Sequence, residues 1–130
     1  VRQVFAPLVS GGTVICCPSF DPFIFWELQA RKAFTWYYAA PTMHQLILQS
    51  HDPSVCPKPS LRMIANAAGG LLPSLAIQLQ QTFSQANVLP SYGMTECMPI
   101  SSPPATYKLT KPGTSGVPVG PEIDILNLAT

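Results

Sequence analysis

The sequence predicts an α/β fold, a parallel sheet with helical crossovers that ends in a more antiparallel β segment. Three observations support this prediction. Apolar, β-rich runs alternate with amphipathic runs, the connections between them are short, and alternating apolar residues close the chain. Strands that alternate with helices pair in parallel, because each helix returns the chain to the same end of the sheet. The 130 residues amount to one domain at most.

The first two strands are predicted between helices. Residues 1–9 are typical of the end of a helix, and the glycine pair 11–12 is placed to close it. Residues 13–17 are β-branched or apolar throughout, as expected of a strand buried on both faces. Asp21 can cap the next helix, because a proline follows it at the first helical position. Residues 34–39 are rich in aromatic side chains and predict the second strand.

The later elements follow the same alternation. They are a helix from Pro41 or Thr42, a loop at 51–60, a strand at 61–65, a helix at 73–83, a strand at 87–89, an irregular loop at 100–111, and an edge or antiparallel strand within 117–128.

The composition argues against several classes of function. Charged residues make up 10% of the chain and the formal net charge is +1, whereas charged residues are about 25% of a typical soluble domain. Binding to nucleic acid or to an anionic membrane surface needs clustered Lys and Arg, which this chain lacks. No apolar run approaches the ~18 residues that a membrane span requires. The chain has few charges and 47% hydrophobic residues, and it opens on Val1. We therefore expect an internal fragment whose surfaces are covered by other protein.

The cysteine spacing favours neither a zinc site nor a disulfide framework, because no CxxC pair occurs. The four cysteines are Cys16, Cys17, Cys56 and Cys97. We expect buried, reduced thiols and an intracellular protein, cytoplasmic or peroxisomal. We do not expect the two histidines, His44 and His51, to bind a metal.

Two loops are expected at the carboxyl ends of predicted strands, where ligands bind in parallel sheets. Residues 66–70 offer almost no side chain after Asn66, so a flat group could approach the backbone closely. Residues 91–96 offer the ring of Tyr92, the hydroxyl of Thr95 and the carboxylate of Glu96. From the residues alone, such a glycine pair is more often part of a turn, and Tyr92 is more typical of core packing than of a stacking surface.

Glu96 is the only acidic residue between Asp52 and Glu122. A lone carboxylate in an apolar, proline-rich stretch is either a solvated loop residue or a ligand for a cation. Mg²⁺ takes oxygen ligands, often one carboxylate together with phosphate oxygens and water. Both interpretations of Glu96 remain open at this point.

Residues 92–96, Tyr-Gly-Met-Thr-Glu, resemble the Tyr-Gly-x-Thr-Glu motif of the adenylate-forming superfamily. Its members are acyl-CoA synthetases, adenylation domains of peptide synthetases, and luciferases. Four more segments resemble that superfamily in the same order along the chain: 10–17, 40–43, 61–75 and 111–120. Ala67 and Gly70 depart from its pattern, which usually has Gly and Pro at these two positions.

The resemblance implies that residues 1–130 are part of an AMP-binding (adenylation) domain. Residues 1–100 would be an α/β subdomain of its large N-terminal part, and residues 101–130 a loop and the start of a β subdomain. The parent enzyme would activate a carboxylic acid with ATP and Mg²⁺, forming an acyl-adenylate and then a thioester with CoA or a carrier pantetheine. The fragment alone is expected to be inactive, and the rest of the parent enzyme would be its partner. A truncated, non-catalytic protein that keeps the fold or a nucleotide-binding surface is the alternative.

The resemblance also implies a role for each matching position. Tyr92 would stack on adenine, Thr95 would hydrogen-bond the α-phosphate and Glu96 would hold Mg²⁺, so that Thr95 and Glu96 are the implied catalytic residues. His44 would lie near the carboxylate substrate, with a partly exposed helix histidine as the alternative. The implied nucleotide site comprises Ala68, Gly69, Gly70, Ser91, Tyr92, Gly93, Met94 and Thr95.

Overall fold

The computed structural model describes residues 2–127 and confirms the α/β class. Its helices are α1 (Arg2–Val9), α2 (Pro22–Lys32), α3 (Pro41–Gln49) and α4 (Pro73–Thr82). Its strands are β1 (Trp36–Ala39), β2 (Met63–Asn66), β3 (Asn87–Pro90), β4 (Tyr92–Met94), β5 (Cys97–Ser102) and β6 (Val117–Pro118). No helix among these residues has both the length and the apolar character to cross a membrane.

The first sheet is parallel, as predicted, with the strand order β1-β2-β3. In its register the last residues of the three strands, Ala39, Asn66 and Pro90, lie side by side. The loops that leave β2 and β3 therefore start from one edge of the sheet, beside the beginning of α3.

Local sequence explains where the helices begin and end. The Asp21 carboxylate accepts hydrogen bonds from the backbone N–H groups of Phe23 (2.8 Å) and Ile24 (3.2 Å), so it caps α2 as predicted. The helices α2, α3 and α4 all begin with proline, whose fixed φ suits the first helical position. Helix α2 ends where Ala33 adopts the left-handed conformation, with φ of 50°.

The hydrophobic core is formed by side chains of α2, α3, α4, β2 and β3, of the segment that precedes β2 and of the turn that follows α4. Its largest members are Trp26, Ile47, Leu61, Ile64, Leu79, Phe83 and Val88. The Trp26 indole donates a hydrogen bond of 2.9 Å to the Ile47 carbonyl, and its ring stacks on that of Phe83 with centroids 5.3 Å apart. These contacts pack α2 and α3 together and hold the helices that flank the parallel sheet.

The second sheet is antiparallel, with the order β4-β5-β6, which confirms the expected change in strand direction. Two boundaries were predicted wrongly. Residues 100–102 belong to β5 rather than to an irregular loop, and only 117–118 of the predicted 117–128 strand are paired. Residues 119–127 form no strand, and Leu128 lies outside the described residues. The division of domains at residue 100 stays a prediction.

Residues 13–17 do not form the predicted strand. No strand of the described chain pairs with them, and four of the five residues are exposed. The expectation of buried thiols is accordingly wrong for Cys16 and Cys17, which are exposed, whereas Cys56 is buried and Cys97 is half-buried. All four cysteines are free thiols in the structure.

Candidate functional site

A cleft of about 230 Å³ lies at the carboxyl ends of β2 and β3. Six of the predicted nucleotide-site residues line it together: Ala68, Gly69, Gly70, Ser91, Tyr92 and Gly93. The structure therefore brings the two loops that the sequence singled out to one place. The volume is below the ~300 Å³ at which complete small-molecule pockets begin.

The first wall of the cleft is nearly free of side chains because of how residues 68–70 are built. Ala68 has φ of +60°, a left-handed conformation that is uncommon for a residue with a side chain. A Cβ at Gly69 would lie 3.3 Å from the Pro41 ring, so this glycine lets the loop approach the start of α3. Gly70 has open space where a Cβ would be. A flat group could therefore lie against this backbone.

Tyr92, the first residue of β4, supplies a ring to the other wall. Its side chain is 51% exposed, so the core of this chain does not cover it. Ser91 fixes the position of this wall, because its N–H donates to the Asn66 carbonyl (3.1 Å) and its hydroxyl lies 3.0 Å from that of Ser102. The arrangement is a slot between a bare backbone and an accessible aromatic ring.

Met94, Thr95 and Glu96 lie at the tip of the β4–β5 hairpin, next to the cleft but outside its lining. All three are exposed. The Glu96 carboxylate fits a Mg²⁺ site in which phosphate oxygens and water supply the other ligands. It does not belong to an all-protein metal site, because no group of three or more His, Cys, Asp or Glu that could hold a metal occurs among residues 2–127.

His44 is fully buried in the first turns of α3 and does not line the cleft. Its Nδ1 lies 2.9 Å from the Tyr37 hydroxyl. Burial lowers the pKa of His44 to about 4, and the neighbouring Asn66 side chain and Ala39 backbone raise it only in part. The imidazole is therefore neutral near pH 7, and the alternative of a partly exposed helix histidine is wrong. Its expected place near a carboxylate substrate stays a prediction.

The predicted site lacks four residues that line the cleft, Asn66, Leu71, Pro90 and Ser115. Asn66 could have been noticed, since it is the only amide at the carboxyl end of a predicted buried strand. Ser115 carries no local signal, because tertiary contacts place it. The next residue, Gly116, has φ of +87°, and a Cβ there would overlap the backbone of Ser102 and Pro103. That close approach sets Ser115 at the cleft.

The fold defines an α/β domain with a cleft at the carboxyl ends of its parallel strands, and comparison with known proteins identifies its family. The family model described as "AMP-binding enzyme" matches residues 1–130. The chain belongs to this family, which confirms the resemblance to adenylate-forming enzymes.

Among curated relatives, the chain is 36% identical to an oxalate–CoA ligase of Arabidopsis thaliana, over 98% of this chain and 26% of the relative. It is 30% identical to a sulfoacetate–CoA ligase of Cupriavidus necator, over 97% of this chain and 24% of the relative. The chain thus spans about a quarter of the length of the curated relatives it matches.

Solved structures agree with this assignment. The O-succinylbenzoate coenzyme A synthetase of Bacillus subtilis, in complex with ATP and magnesium, matches with a TM-score of 0.76 and 27% identity over 98% of this chain and 26% of its own. The ATP-bound MatB of Rhodopseudomonas palustris matches with a TM-score of 0.69 and 28% identity over 83% of this chain and 21% of its own.

Proposed function

We propose that these residues are part of an ATP-dependent acid–CoA ligase. The parent enzyme, meaning the full-length protein to which they belong, forms an acyl-adenylate and then a thioester. A carboxylate oxygen of the acid attacks the α-phosphorus of ATP, and the bond to pyrophosphate breaks. The thiol sulfur of CoA then attacks the acyl carbon and releases AMP. The observation that carries the proposal is the cleft that the small-residue loop 68–70 and Tyr92 line together.

The chain's own residues bind and orient the nucleotide in this proposal. The Tyr92 ring stacks on one face of adenine, and the backbone of 68–70 covers the other face. The exposed Thr95 hydroxyl at the hairpin tip donates a hydrogen bond to the α-phosphate. Ser91, Gly93 and Met94 border the adenylate and the acyl group. Binding and orientation of this kind lower the barrier because the reacting atoms are held in place beforehand.

Glu96 is the proposed Mg²⁺ ligand. When bound, the cation neutralises charge on the phosphate oxygens. The exposed position of the Glu96 carboxylate beside the cleft, in a stretch of sequence with no other acidic residue from 53 to 121, supports this role. No protein nucleophile takes part, so charge neutralisation and orientation carry the chemistry.

Small anionic carboxylic acids are the proposed substrate class, and CoA rather than a carrier pantetheine is the proposed acceptor. Relatives named for oxalate, sulfoacetate and malonate support both choices, since each is named a CoA ligase. The predicted place of His44 near the acid is not part of this proposal, because His44 is fully buried and does not line the cleft. The intracellular location, cytoplasmic or peroxisomal, is also part of the proposal.

The test is ATP–pyrophosphate exchange by the parent protein over a panel that contains oxalate, malonate, sulfoacetate and longer monocarboxylic acids. We expect exchange with at least one small dianionic acid, followed by CoA thioester formation with the same acid. Nucleotide binding without exchange for any acid would instead support the alternative, a non-catalytic protein that keeps a nucleotide-binding surface.

A further inference from the structure

We propose that His44 is a positioning residue, which links the Tyr37 hydroxyl to Asn66 in a buried polar chain that holds both walls of the cleft. The inference rests on the proposed function for its kinetic readout. The polar chain itself follows from hydrogen bonds, burial and two unpartnered atoms, as argued below.

The first link joins β1 to α3. The Tyr37 hydroxyl and His44 Nδ1 are 2.9 Å apart, and the Tyr37 O–H is the donor when Nδ1 carries no proton. Burial raises the pKa of the Tyr37 phenol, which keeps that proton in place. A neutral imidazole that accepts at Nδ1 carries its proton on Nε2. That Nε2 is buried and has no hydrogen-bond partner among the described residues.

The second link joins α3 to the end of β2. Asn66 is 1% exposed, and its Nδ2 donates a hydrogen bond of 2.9 Å to the Gly69 carbonyl. This bond fixes the orientation of the amide, so the other atom is the acceptor Oδ1. Oδ1 is likewise buried without a partner within the described part of the chain. The buried His44 Nε2–H therefore lacks an acceptor, and the buried Asn66 Oδ1 can be that acceptor.

The two side chains are neighbours in the structure. The Asn66 side chain also raises the pKa of His44 against the effect of burial. Helix α3 begins directly after β1, and the last residue of β1, Ala39, lies beside Asn66 in the sheet register. In the proposed chain, the His44 Nε2–H donates to the Asn66 Oδ1, which gives each of these buried atoms a partner.

Asn66 extends this chain to both walls. Its side chain holds the first wall through the Gly69 carbonyl, and its backbone carbonyl accepts the N–H of Ser91 at the start of the second (3.1 Å). The separation of the walls therefore depends on where Asn66 lies. Loss of the imidazole frees the Asn66 amide to rotate and loosens Gly69. Nucleotide binding then suffers more than the chemical step does.

The experiment uses the parent protein with His44→Phe, which keeps a buried ring but removes both polar atoms. We expect the KM for ATP in pyrophosphate exchange to rise about tenfold, a factor equivalent to roughly 1.4 kcal/mol. The value of kcat and the KM for the acid should change much less. His44→Gln, which can still donate and accept, is expected to recover most of the ATP affinity.

His51→Phe is the matched control. His51 is the chain's other histidine, it also has a buried Nε2 without a partner in the described structure, and it lies against Trp26 with ring centroids 4.3 Å apart. It is not part of the cleft lining. We expect this change to leave the KM for ATP unaltered even where it lowers the melting temperature.

Three results would overturn the inference. In the first, His44→Phe lowers the melting temperature as His51→Phe does and leaves the KM for ATP unchanged. That result would show that His44 has a structural role only. In the second, the KM for the acid rises instead, which places His44 at the substrate. In the third, Tyr37→Phe has no effect on ATP affinity. This variant is the deciding one if His44→Phe fails to fold. If the wild type exchanges with no acid, the proposed function fails, and calorimetric ATP binding by the same variants still tests the polar chain.

Discussion

Replacing Tyr92 with alanine in the parent protein tests the slot most directly. The ring is 51% exposed and lines the cleft, so its removal takes away a ligand surface while leaving the hydrophobic core intact. Stacking of a base on an aromatic side chain contributes about 1–3 kcal/mol, which corresponds to a loss of roughly 5- to 150-fold in ATP affinity. We expect a loss in this range together with an unchanged melting temperature.

Calorimetric titration with ATP measures the effect, with Tyr92→Phe as the matched control. The phenylalanine ring keeps the stacking face and lacks only the hydroxyl, for which the structure shows no hydrogen bond among residues 2–127. Tyr92→Phe should therefore bind ATP nearly as well as the wild type. Equal losses for the two variants would show that the hydroxyl rather than the ring contacts the nucleotide, and the stacking argument would then be wrong.

Three further predictions concern the hairpin, the close approach at Gly116 and the isolated chain. Glu96→Gln in the parent should strongly reduce pyrophosphate exchange without changing the melting temperature, because Glu96 is exposed at a turn; unchanged exchange at limiting Mg²⁺ would contradict the metal role. Gly116→Ala should lower the melting temperature more than Gly120→Ala does, since both have positive φ but only Gly116 lacks room for a Cβ. Residues 1–130 expressed alone should associate in sedimentation experiments and show no exchange; a monodisperse, active chain would contradict the division of the site argued above.

The parallel sheet and its helices could be predicted because their signals are local. Asp21 caps α2 through N–H groups two and three residues away. Proline stands at the start of three helices, where its fixed φ is already helical. Sequence alone contains all of this information, so these helices begin close to where the sequence predicts them.

The antiparallel sheet was harder to place because strand pairing depends on distant residues. Residues 97–102 contain a proline and two serines, which favour a loop on local grounds. In the structure they pair with β4 on one side and with residues 117–118 on the other. The motif at 92–96 therefore lies on a hairpin rather than on the loop that its composition suggests.

The candidate site was predictable as two separate loops, and less so as one cleft. The residues that join the loops, Asn66 and Ser91, do so through a side-chain amide and backbone groups whose partners no local pattern reveals. Ser115 lies more than twenty residues after Tyr92 in sequence. It lines the cleft because Gly116 packs against the backbone of Ser102 and Pro103, where a Cβ would not fit. The positions of the two loops and of Ser115 relative to one another are therefore set by tertiary contacts, which no local sequence pattern shows.

Residues 13–17 have the apolar pattern of a buried strand, yet the structure leaves most of them exposed. These residues and β1 border an open groove of about 800 Å³, and β1 is an edge strand of its sheet. The apolar sequence leaves Ile15 41% exposed there, and the β1 tyrosines are only half-buried. A strand needs a partner for its backbone N–H and C=O groups, and none of the described strands pairs with this segment. Since the relatives are about four times as long as this chain, the pattern fits burial against protein that these residues do not include.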